Sequence, residues 1–487
     1  MSDRTITVLV TLTVYKVTLL AIGLFANAKT NDETEFYLGG RSLGPWVAAL
    51  SASASSSSAW TLLAVSGAAY SWGLSAVWLF PACVGGFVFN WIVLAPAVQR
   101  VGNKTGALTV IELVAGPRDR EFSRLISAIC AIIVLCAFTI YVAAQLQGAG
   151  KTFEDTFGWS MTHSVLVGAG VVIVYTLLGG FWAVSLTDTL QGAAMAATAL
   201  IIPVAVVLAC GGPVALVNGI GTIDAPGWLD PLAGAGGAAG LGFVLGTFGI
   251  GLGYPGQPHV ANRFMALRLG QEAITTARRV AIGWAVIIYC GMLIVGWGGR
   301  ILYPILADNE TVFIHITNGI FPPVVSGILL AAVLSAVMST ADSQLLVAGS
   351  SVSHDLGLGS GKRALLWSRV VVLTISVFAV VAALFGSQSI FDKVLSAWWL
   401  VGFTLGPTLI VTTIKGPVPP IRILIAVLVG GGLTFIANLI PATDKTLVES
   451  VLPFVLGLLI VWPWKRAAPQ GENGTTNIHR QAADIHS

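Results

Sequence analysis

The sequence has little charge. Only 10% of its 487 residues are Asp, Glu, Lys or Arg, against about 25% in a typical soluble domain. Hydrophobic residues make up 55%, and the mean hydropathy is +0.86. No charged residue occurs from Ser42 to Gln99 or from Thr189 to Ile223, and stretches of that length are typical of membrane-spanning helices. The composition therefore excludes an ordinary water-soluble protein and indicates a polytopic membrane protein.

Motifs for covalent or nucleotide chemistry are also missing. The five cysteines all fall in apolar stretches, and none forms a C-x-x-C pair of the kind that indicates redox or metal chemistry. No G-x-x-x-x-G-K-[ST] loop occurs, which argues against ATP-driven transport by this chain. The net charge of +3 suits loops that face anionic lipid. The expected partner is therefore the lipid bilayer, and no nucleic acid is expected.

Apolar segments predict an all-α membrane protein with about thirteen transmembrane helices, because hydrocarbon requires each segment to satisfy its own backbone. The first segment is interpreted as an anchor rather than a cleaved signal, since residues 1–4 carry no net positive charge. The predicted spans are 5–26, 45–70, 74–98, 125–149, 162–179, 183–210, 235–258, 276–298, 319–350, 365–385, 390–413, 421–440 and 447–464.

Basic residues predict the orientation of these helices. With the N-terminus outside and the C-terminus in the cytoplasm, the inner side receives 19 of the 25 Lys and Arg residues, Arg263 among them. Lys16 falls inside the first span, and the sequence offers no account of it. We therefore predict a multi-pass protein of the cell membrane, the inner or plasma membrane.

Two of the predicted spans have compositions that favour an interruption of the helix. Six serines occur within residues 51–60, and several glycines precede a Tyr-Pro-Gly-Gln-Pro run at 254–258. Glycine and proline at this density unwind a helix, whereas mid-membrane serines fit either tight helix packing or an ion site. Each interrupted span opens a block of five helices, which predicts an inverted-repeat transporter with a site at the midplane. The predicted organisation is an anchor helix and loop at 1–44, repeats at 45–211 and 235–413, two helices at 414–464 and a disordered cytoplasmic tail at 465–487.

The ninth span adds hydroxyls and a carboxylate near its middle, at Ser339, Thr340 and Asp342. Carbonyl and hydroxyl oxygens can replace the hydration shell of an alkali cation. An unwound stretch at residues 54–57 that faces Ser339 and Thr340 would form such a site. The alternative is that these hydroxyls bond back to their own helix.

Ordered motifs between residues 37 and 407 resemble the sodium:solute symporter family, and within it most closely the sodium/proline symporters. The stretches that carry the resemblance are YLGGRSLG at 37–44, LGGFWAVSLTD at 178–188, GLGYPGQPH at 251–259, NRFMA at 262–266, MSTADSQLL at 338–346 and GP at 406–407.

The resemblance implies a leucine-transporter-type fold with a five-plus-five inverted repeat and broken helices, with Na⁺ as the coupling ion. It implies a sodium site and a substrate pocket. It also implies that Asp188 lies on the cytoplasmic exit route of sodium. Arg41 is expected to help couple the sodium flux to the substrate flux. The sodium ligands are expected at Ala54, Ser57, Ala336, Ser339 and Thr340, and the substrate residues at Ser58, Tyr141, Tyr254 and Pro258.

Simpler interpretations compete for three of these residues. Tyr141 could belong to an interfacial aromatic belt, Asp188 could cap a helix, and Arg41 could be an inner-side anchor. The chain also departs from the proline symporters at two positions: Ser56 replaces an aspartate, and Ile250 replaces a tryptophan. The first change removes a negative charge beside the ion path, and the second makes the pocket larger or more aliphatic.

These observations predict a sodium-coupled secondary symporter that imports a small organic solute, with proline or a related amino acid as the expected solute, and not an enzyme. Alternatives are a symporter for another zwitterion or an organic acid, or a transporter-like sensor. A membrane-embedded enzyme would need clustered histidines and carboxylates, whereas His163, His259 and His315 lie near the ends of predicted spans.

Overall fold

The computed structural model describes residues 3–27, 38–178, 181–358, 362–440 and 446–463. The predicted tail at 465–487 lies outside these residues, as does part of the predicted loop before residue 44. Across the described ranges the chain is helical, and its one β-bridge joins Leu43 to Leu267. The all-α fold predicted from hydropathy is thereby confirmed.

The helices are numbered here in chain order. Their bounds are α1 Asp3–Asn27, α2 Pro45–Ala59, α3 Val65–Trp72, α4 Leu79–Phe89, α5 Ala95–Thr105, α6 Val110–Ala115, α7 Ser123–Phe157, α8 Met161–Leu178, α9 Phe181–Ala209, α10 Pro213–Gly221, α11 Gly237–Gly253, α12 Pro258–Ala266, α13 Gln271–Leu302, α14 Val312–Ile320, α15 Pro323–Ser350, α16 Lys362–Phe385, α17 Ile390–Ile414, α18 Pro420–Leu439, α19 Leu447–Ser450 and α20 Leu452–Val461.

Ten of the described segments are long and apolar enough to cross a membrane. One of them, Pro45–Thr105, has 61 residues and as a straight helix would extend about 90 Å, roughly three times the hydrocarbon thickness. It therefore crosses twice, reversing at the 3₁₀ turn Gly73–Trp78, where Gly73 has a φ of 62°. Two shorter apolar segments, Met161–Leu177 and Leu447–Val461, bring the crossings among the described residues to the predicted thirteen.

The first break lies at Ser58. This residue has φ 36° and ψ −177°, values that no helix accommodates, and a π-helical turn at Trp60–Ala64 follows it. The prediction of an unwound stretch at 54–57 is therefore wrong by a few residues. Residues 54–57 remain helical because nothing in a run of Ser and Ala forces the backbone to open before position 58.

The second break separates α11 from α12, as predicted. A 3₁₀ turn at Tyr254–Gly256 leads to Gln257, which is extended with φ −82° and ψ 104°. Pro258 then starts α12, a position where its missing N–H costs nothing. The last predicted span, 447–464, is wrong as a single helix, because Val451 with φ −134° separates α19 from α20.

Packing brings the two breaks together at the centre of the bundle. Helices α9, α12 and α15 all contact α2, while α1 lies against α9 and α15 on the periphery. Every residue from Ser51 to Tyr70 is buried, as is every residue from Leu329 to Leu345. The serine-rich segment therefore faces protein and not lipid.

Candidate ion and substrate site

Two hydroxyls of α15 reach the backbone of α2 just before its break. Ser339 Oγ donates to the carbonyl oxygen of Ala54 at 3.3 Å, and Thr340 Oγ1 donates to that of Ser55 at 3.1 Å. Both side chains are fully buried. The carbonyls of α2 near its end have lost their next-turn partners, so these oxygens are available to the hydroxyls.

Two further expected ion ligands are Ala336 and Ser57. Ser339 Oγ lies 3.3 Å from the carbonyl oxygen of Ala336, in the geometry of a helical back-bond. The hydroxyl of Ser57, three residues after Ala54 in α2, is buried and has no hydrogen-bond partner among the described residues. Hydroxyl and carbonyl oxygens are ligands that suit an alkali cation. Ser55, which the sequence did not single out, contributes the carbonyl that holds Thr340.

Asp188 lies in a second, adjoining cluster. Its Oδ2 accepts hydrogen bonds from Ser51 at 2.8 Å, Ser55 at 3.1 Å and Arg263 at 3.0 Å. Its Oδ1 is buried and has no partner among the described residues. Asp188 is the eighth residue of α9, so the helix-capping interpretation is wrong.

Sequence reasoning missed Arg263. It was counted among the inner-side basic residues, yet it is completely buried in α12 and forms an ion pair with Asp188. Its guanidinium also donates to Ser51, to Ser343 at 2.6 Å and to the carbonyl of His259. The signal that could have found it is its position five residues after Pro258, inside the short helix that follows the break.

An aromatic cluster lies on the other side of the first break. The Tyr141 hydroxyl donates to Ser58 Oγ at 3.4 Å, and the tyrosine is only 1% exposed. An interfacial belt position is therefore wrong. The Trp398 ring of α17 lies 6.5 Å from the Tyr141 ring and 4.7 Å from the Tyr254 ring, edge to face with the latter. Trp398, which the sequence analysis did not predict as a site residue, lies between the rings of the two predicted substrate residues, Tyr141 and Tyr254.

The second break is tied into the same cluster. The hydroxyls of Tyr254 and Tyr289 lie 2.8 Å apart, and Asn90 donates to the Tyr254 carbonyl at 3.1 Å. Gln257 donates to the carbonyls of Gly253 and Trp398. Pro258 is buried at the start of α12. It therefore fixes the path of the backbone beside the pocket.

A cavity of about 340 Å³ opens from the Trp72 end of the bundle and reaches Ile250. Its wall is mainly aromatic and apolar, formed by Trp72, Phe243, Phe391 and Trp399. Ile250 is 3% exposed, and its carbonyl accepts the Trp398 indole N–H at 3.1 Å. The residue that stands where the sodium/proline symporters have a tryptophan therefore lies between this cavity and the aromatic cluster.

Arg41 lies apart from both clusters. Its guanidinium donates to the carbonyls of Ala107, at 2.5 Å, and Met265, at 3.5 Å, so it joins the turn before α6 to the end of α12. Partial burial lowers the pKa of Arg41, and the nearby Glu112 carboxylate opposes that shift. The structure places Arg41 at the end of α12 and not at the ion cluster.

His259 lies directly after the predicted span 235–258. It is fully buried and packs edge-on against Phe138, with ring centroids 5.4 Å apart. Its backbone carbonyl receives Arg263. It therefore belongs to the packing of the ion-pair cluster.

Comparison with known proteins connects this geometry to a family. The model of the sodium:solute symporter family matches residues 36–414. The high-affinity proline transporter of Bacillus subtilis is 36% identical over 405 residues, covering 81% of this chain and 84% of the relative. The sodium/proline symporter of Escherichia coli is 35% identical and covers 82% of each chain. A solved Na⁺-coupled sialic acid symporter, substrate-bound and outward-open, shares the fold with a TM-score of 0.76, at 15% identity over 93% of this chain and 96% of that one.

Proposed function

This chain belongs to the sodium:solute symporter family, and we propose that it imports proline or a closely related small amino acid together with Na⁺. Relatives named as proline transporters match at 32–36% identity over most of the chain. One observation carries the proposal. The hydroxyls of Ser339 and Thr340 meet the carbonyls of α2 directly beside its break, so an ion bound there would hold α2 and α15 together.

The proposed sodium ligands are oxygens of Ala54, Ser57, Ala336, Ser339 and Thr340. They are neutral, so an ion would meet no strong fixed charge and could both bind and leave. Asp188, in the adjoining cluster, supplies the negative charge on the proposed exit route, with its free Oδ1 as the landing point. Ser56 is not among the proposed ligands; its hydroxyl donates to the Ser53 carbonyl within α2.

The proposed substrate pocket lies at the restart of the first broken helix. The backbone N–H of Ala59 donates to Gln145 Oε1 at 2.9 Å, and that of Trp60 donates to Ser58 Oγ at 3.1 Å. Backbone amides at a helix start favour a carboxylate, so a substrate carboxylate would replace the Gln145 oxygen. The rings of Tyr141, Tyr254 and Trp398 would then enclose the apolar part of a small imino acid, with Pro258 shaping the wall.

Coupling requires that each ligand favour the state the other favours, which is reciprocal by thermodynamic necessity. In the proposed site this follows from geometry, because Ala54 on one side of Ser58 holds the ion and Ala59 on the other holds the substrate. With a membrane potential that is negative inside, inward movement of one Na⁺ also gains about 2.3 kcal/mol per 100 mV. Arg41, at the inner end of α12, would transmit the movement of that helix to the loop before α6. We retain the repeats 45–211 and 235–413 as the moving units of this proposal.

Uptake by proteoliposomes tests the function. The purified chain should accumulate labelled proline when an inward sodium gradient is imposed, and should lose that uptake when potassium replaces sodium. Uptake of a panel of other labelled amino acids and organic acids under the same gradient shows whether a failure to accumulate proline reflects a different solute or a different transport mechanism. Sodium-independent uptake, or sodium-dependent uptake of organic acids alone, would contradict the proposal.

The ion site has its own test. Ser339→Ala and Thr340→Ala should each raise the sodium concentration for half-maximal uptake about tenfold, since losing one well-placed ligand is worth about 1.4 kcal/mol. Ser350→Ala is the matched control, because Ser350 is a buried serine of the same helix that bonds back to Val347. If the control shifts the sodium response as much as the two variants, the proposed site is misplaced.

A further inference from the structure

An apolar groove of about 660 Å³ lies on the outside of the helix bundle. Its walls come from α4, α11, the end of α17 and the pair α19 and α20. Leu245 and Phe248 of α11 line it and are 44% and 37% exposed. The groove is therefore open to what surrounds the bundle, which for membrane-spanning helices is lipid. None of the proposed substrate residues lines it.

One end of the groove carries a cation. Lys415 directly follows α17, and among the described residues that line the groove it is the one with a charged side chain. Its ammonium lies 5.3 Å from the centroid of the Trp462 ring, a contact that holds the charge at the mouth of the groove. Lys415 is exposed, and no carboxylate of the described chain forms an ion pair with it. The cation is therefore available to an anion from outside the chain.

The groove has the depth of one lipid leaflet. Helix α20, which forms one wall, has 10 residues and extends about 15 Å, half of a hydrocarbon thickness of about 30 Å. On the predicted orientation, Lys415 and Trp462 lie at the cytoplasmic surface, where such side chains occur at the level of the headgroups. The apolar walls therefore lie at the depth of lipid tails, and the positive charge lies at the depth of the headgroups.

A glycine keeps the groove open. Two of the three glycines of α4 and α11 that line it have packing reasons. A Cβ at Gly86 would lie 2.3 Å from the Tyr254 ring, and one at Gly251 would lie 2.6 Å from the carbonyl oxygen of Ala82. A Cβ at Gly85 would have nothing within 4 Å. Glycine inside a helix costs up to about 1 kcal/mol relative to alanine, and at position 85 its effect is to leave room in the groove.

We propose that this groove binds one anionic phospholipid, with an acyl chain along α4, α11 and α20 and the phosphate at Lys415. A zwitterionic lipid offers the same tail but balances its phosphate with its own ammonium. Lys415 therefore makes the site selective for a headgroup with net negative charge. The expected preference is about fivefold, the factor that corresponds to the attraction of one basic residue to an anionic surface. Because Pro255 lines the groove, the lipid would pack on the side of the second break that faces away from the substrate pocket.

Native mass spectrometry of the full-length chain in detergent tests the headgroup. Titration with dioleoylphosphatidylglycerol or dioleoylphosphatidylcholine, which have the same acyl chains, gives the affinity for the first bound lipid. Wild type should bind the anionic lipid about fivefold more tightly. Lys415→Gln should bind both lipids equally. Arg268→Gln is the matched control, because Arg268 is another exposed basic residue of the predicted inner side that does not line the groove, and it should keep the preference.

A second variant tests the tail. Gly85→Leu fills the groove and should weaken both lipids about tenfold, the loss expected when two methylenes lose their apolar contacts. Gly170→Leu is its control, since a Cβ at Gly170 in α8 also meets nothing within 4 Å but lies outside the groove. If Gly85→Leu fails to fold, Leu245→Trp fills the groove from α11, with the exposed Leu241→Trp one turn earlier as control.

Four outcomes would overturn the assignment. Wild type could bind the two lipids equally, or a folded groove-filling variant could bind both as tightly as wild type. Competition by glycerol 3-phosphate as strong as that by the lipid would indicate a site for free phosphate at Lys415. A dimer that dissociates in Gly85→Leu would assign the groove to a second copy of the chain. None of these outcomes touches sodium-dependent uptake, so the proposed function is tested separately.

Discussion

The two helix breaks differ in what opens them. Around the second break, Gly253, Pro255, Gly256 and Pro258 interrupt the helix through their own backbone preferences. The first has neither glycine nor proline from Trp46 to Ser66. There Ser58 takes a positive φ of 36°, a conformation that costs a non-glycine residue of order 1–3 kcal/mol. Contacts from other helices must supply that energy.

Those contacts come from α7. Gln145 accepts the Ala59 N–H, and Tyr141 reaches the Ser58 hydroxyl. A helix break that depends on such contacts can close or shift when a ligand replaces them. A break that proline and glycine residues cause persists, because it depends on the local backbone alone. The comparison therefore assigns the ligand-responsive element to α2 and the fixed wall of the pocket to the turn at Tyr254–Gly256.

The largest expected effect on stability comes from removing the ion pair between Arg263 and Asp188, which connects the two helix breaks. Arg263, after the second break, bonds Asp188 and also Ser51, ahead of the first. Arg263→Met leaves the Asp188 carboxylate buried without its ion partner and should lower the free energy of unfolding by about 3–5 kcal/mol. Denaturant unfolding of the detergent-solubilised protein measures this loss.

The double variant Asp188→Asn/Arg263→Met sharpens that test. Removing both charges should recover much of the stability, because no lone charge remains buried. Arg268→Met, at an exposed arginine just beyond α12, should change little. Equal losses in the single and double variants would mean that hydrogen bonds, and not the ion pair, hold the breaks together.

A smaller effect should distinguish the two breaks directly. Gln145→Leu leaves the Ala59 N–H without its partner, a loss of about 1–3 kcal/mol, and should weaken apparent sodium affinity roughly tenfold. Gln257→Leu removes two bonds at the second break but should alter sodium affinity less, because glycine and proline keep that backbone in place. Sodium titration of uptake measures both, with the exposed Asn438→Leu as control. The opposite ranking would contradict the comparison.

The same contrast explains what the sequence could predict. The break at Tyr254–Gly256 follows from nearby glycine and proline residues, so the sequence predicts its position correctly. The break at Ser58 depends on contacts with Gln145 and Tyr141 of α7, and the sequence-based prediction places it too early in the chain. Arg263 was assigned to a loop because counting charges ignores the short helix that continues after a break. Ser339 and Thr340 could be singled out as candidate ion ligands because two adjacent hydroxyls and a carboxylate lie near the middle of an apolar span.

The smallest predicted effect concerns the fixed wall. Ile250 lines the cavity that reaches Trp72, and its backbone carbonyl accepts the Trp398 indole N–H, so a new side chain at position 250 leaves that bond in place. Ile250→Trp adds a flat ring beside Tyr254 and should tighten proline binding by about fivefold to tenfold, the scale of one aromatic contact. Competition of unlabelled against labelled proline measures it. Leu252→Trp is the control, since Leu252 lines a different, apolar cavity. If Ile250→Trp weakens proline binding and the control does not, the wild-type wall is shaped for a bulkier aliphatic solute, and only the substrate in the proposal changes.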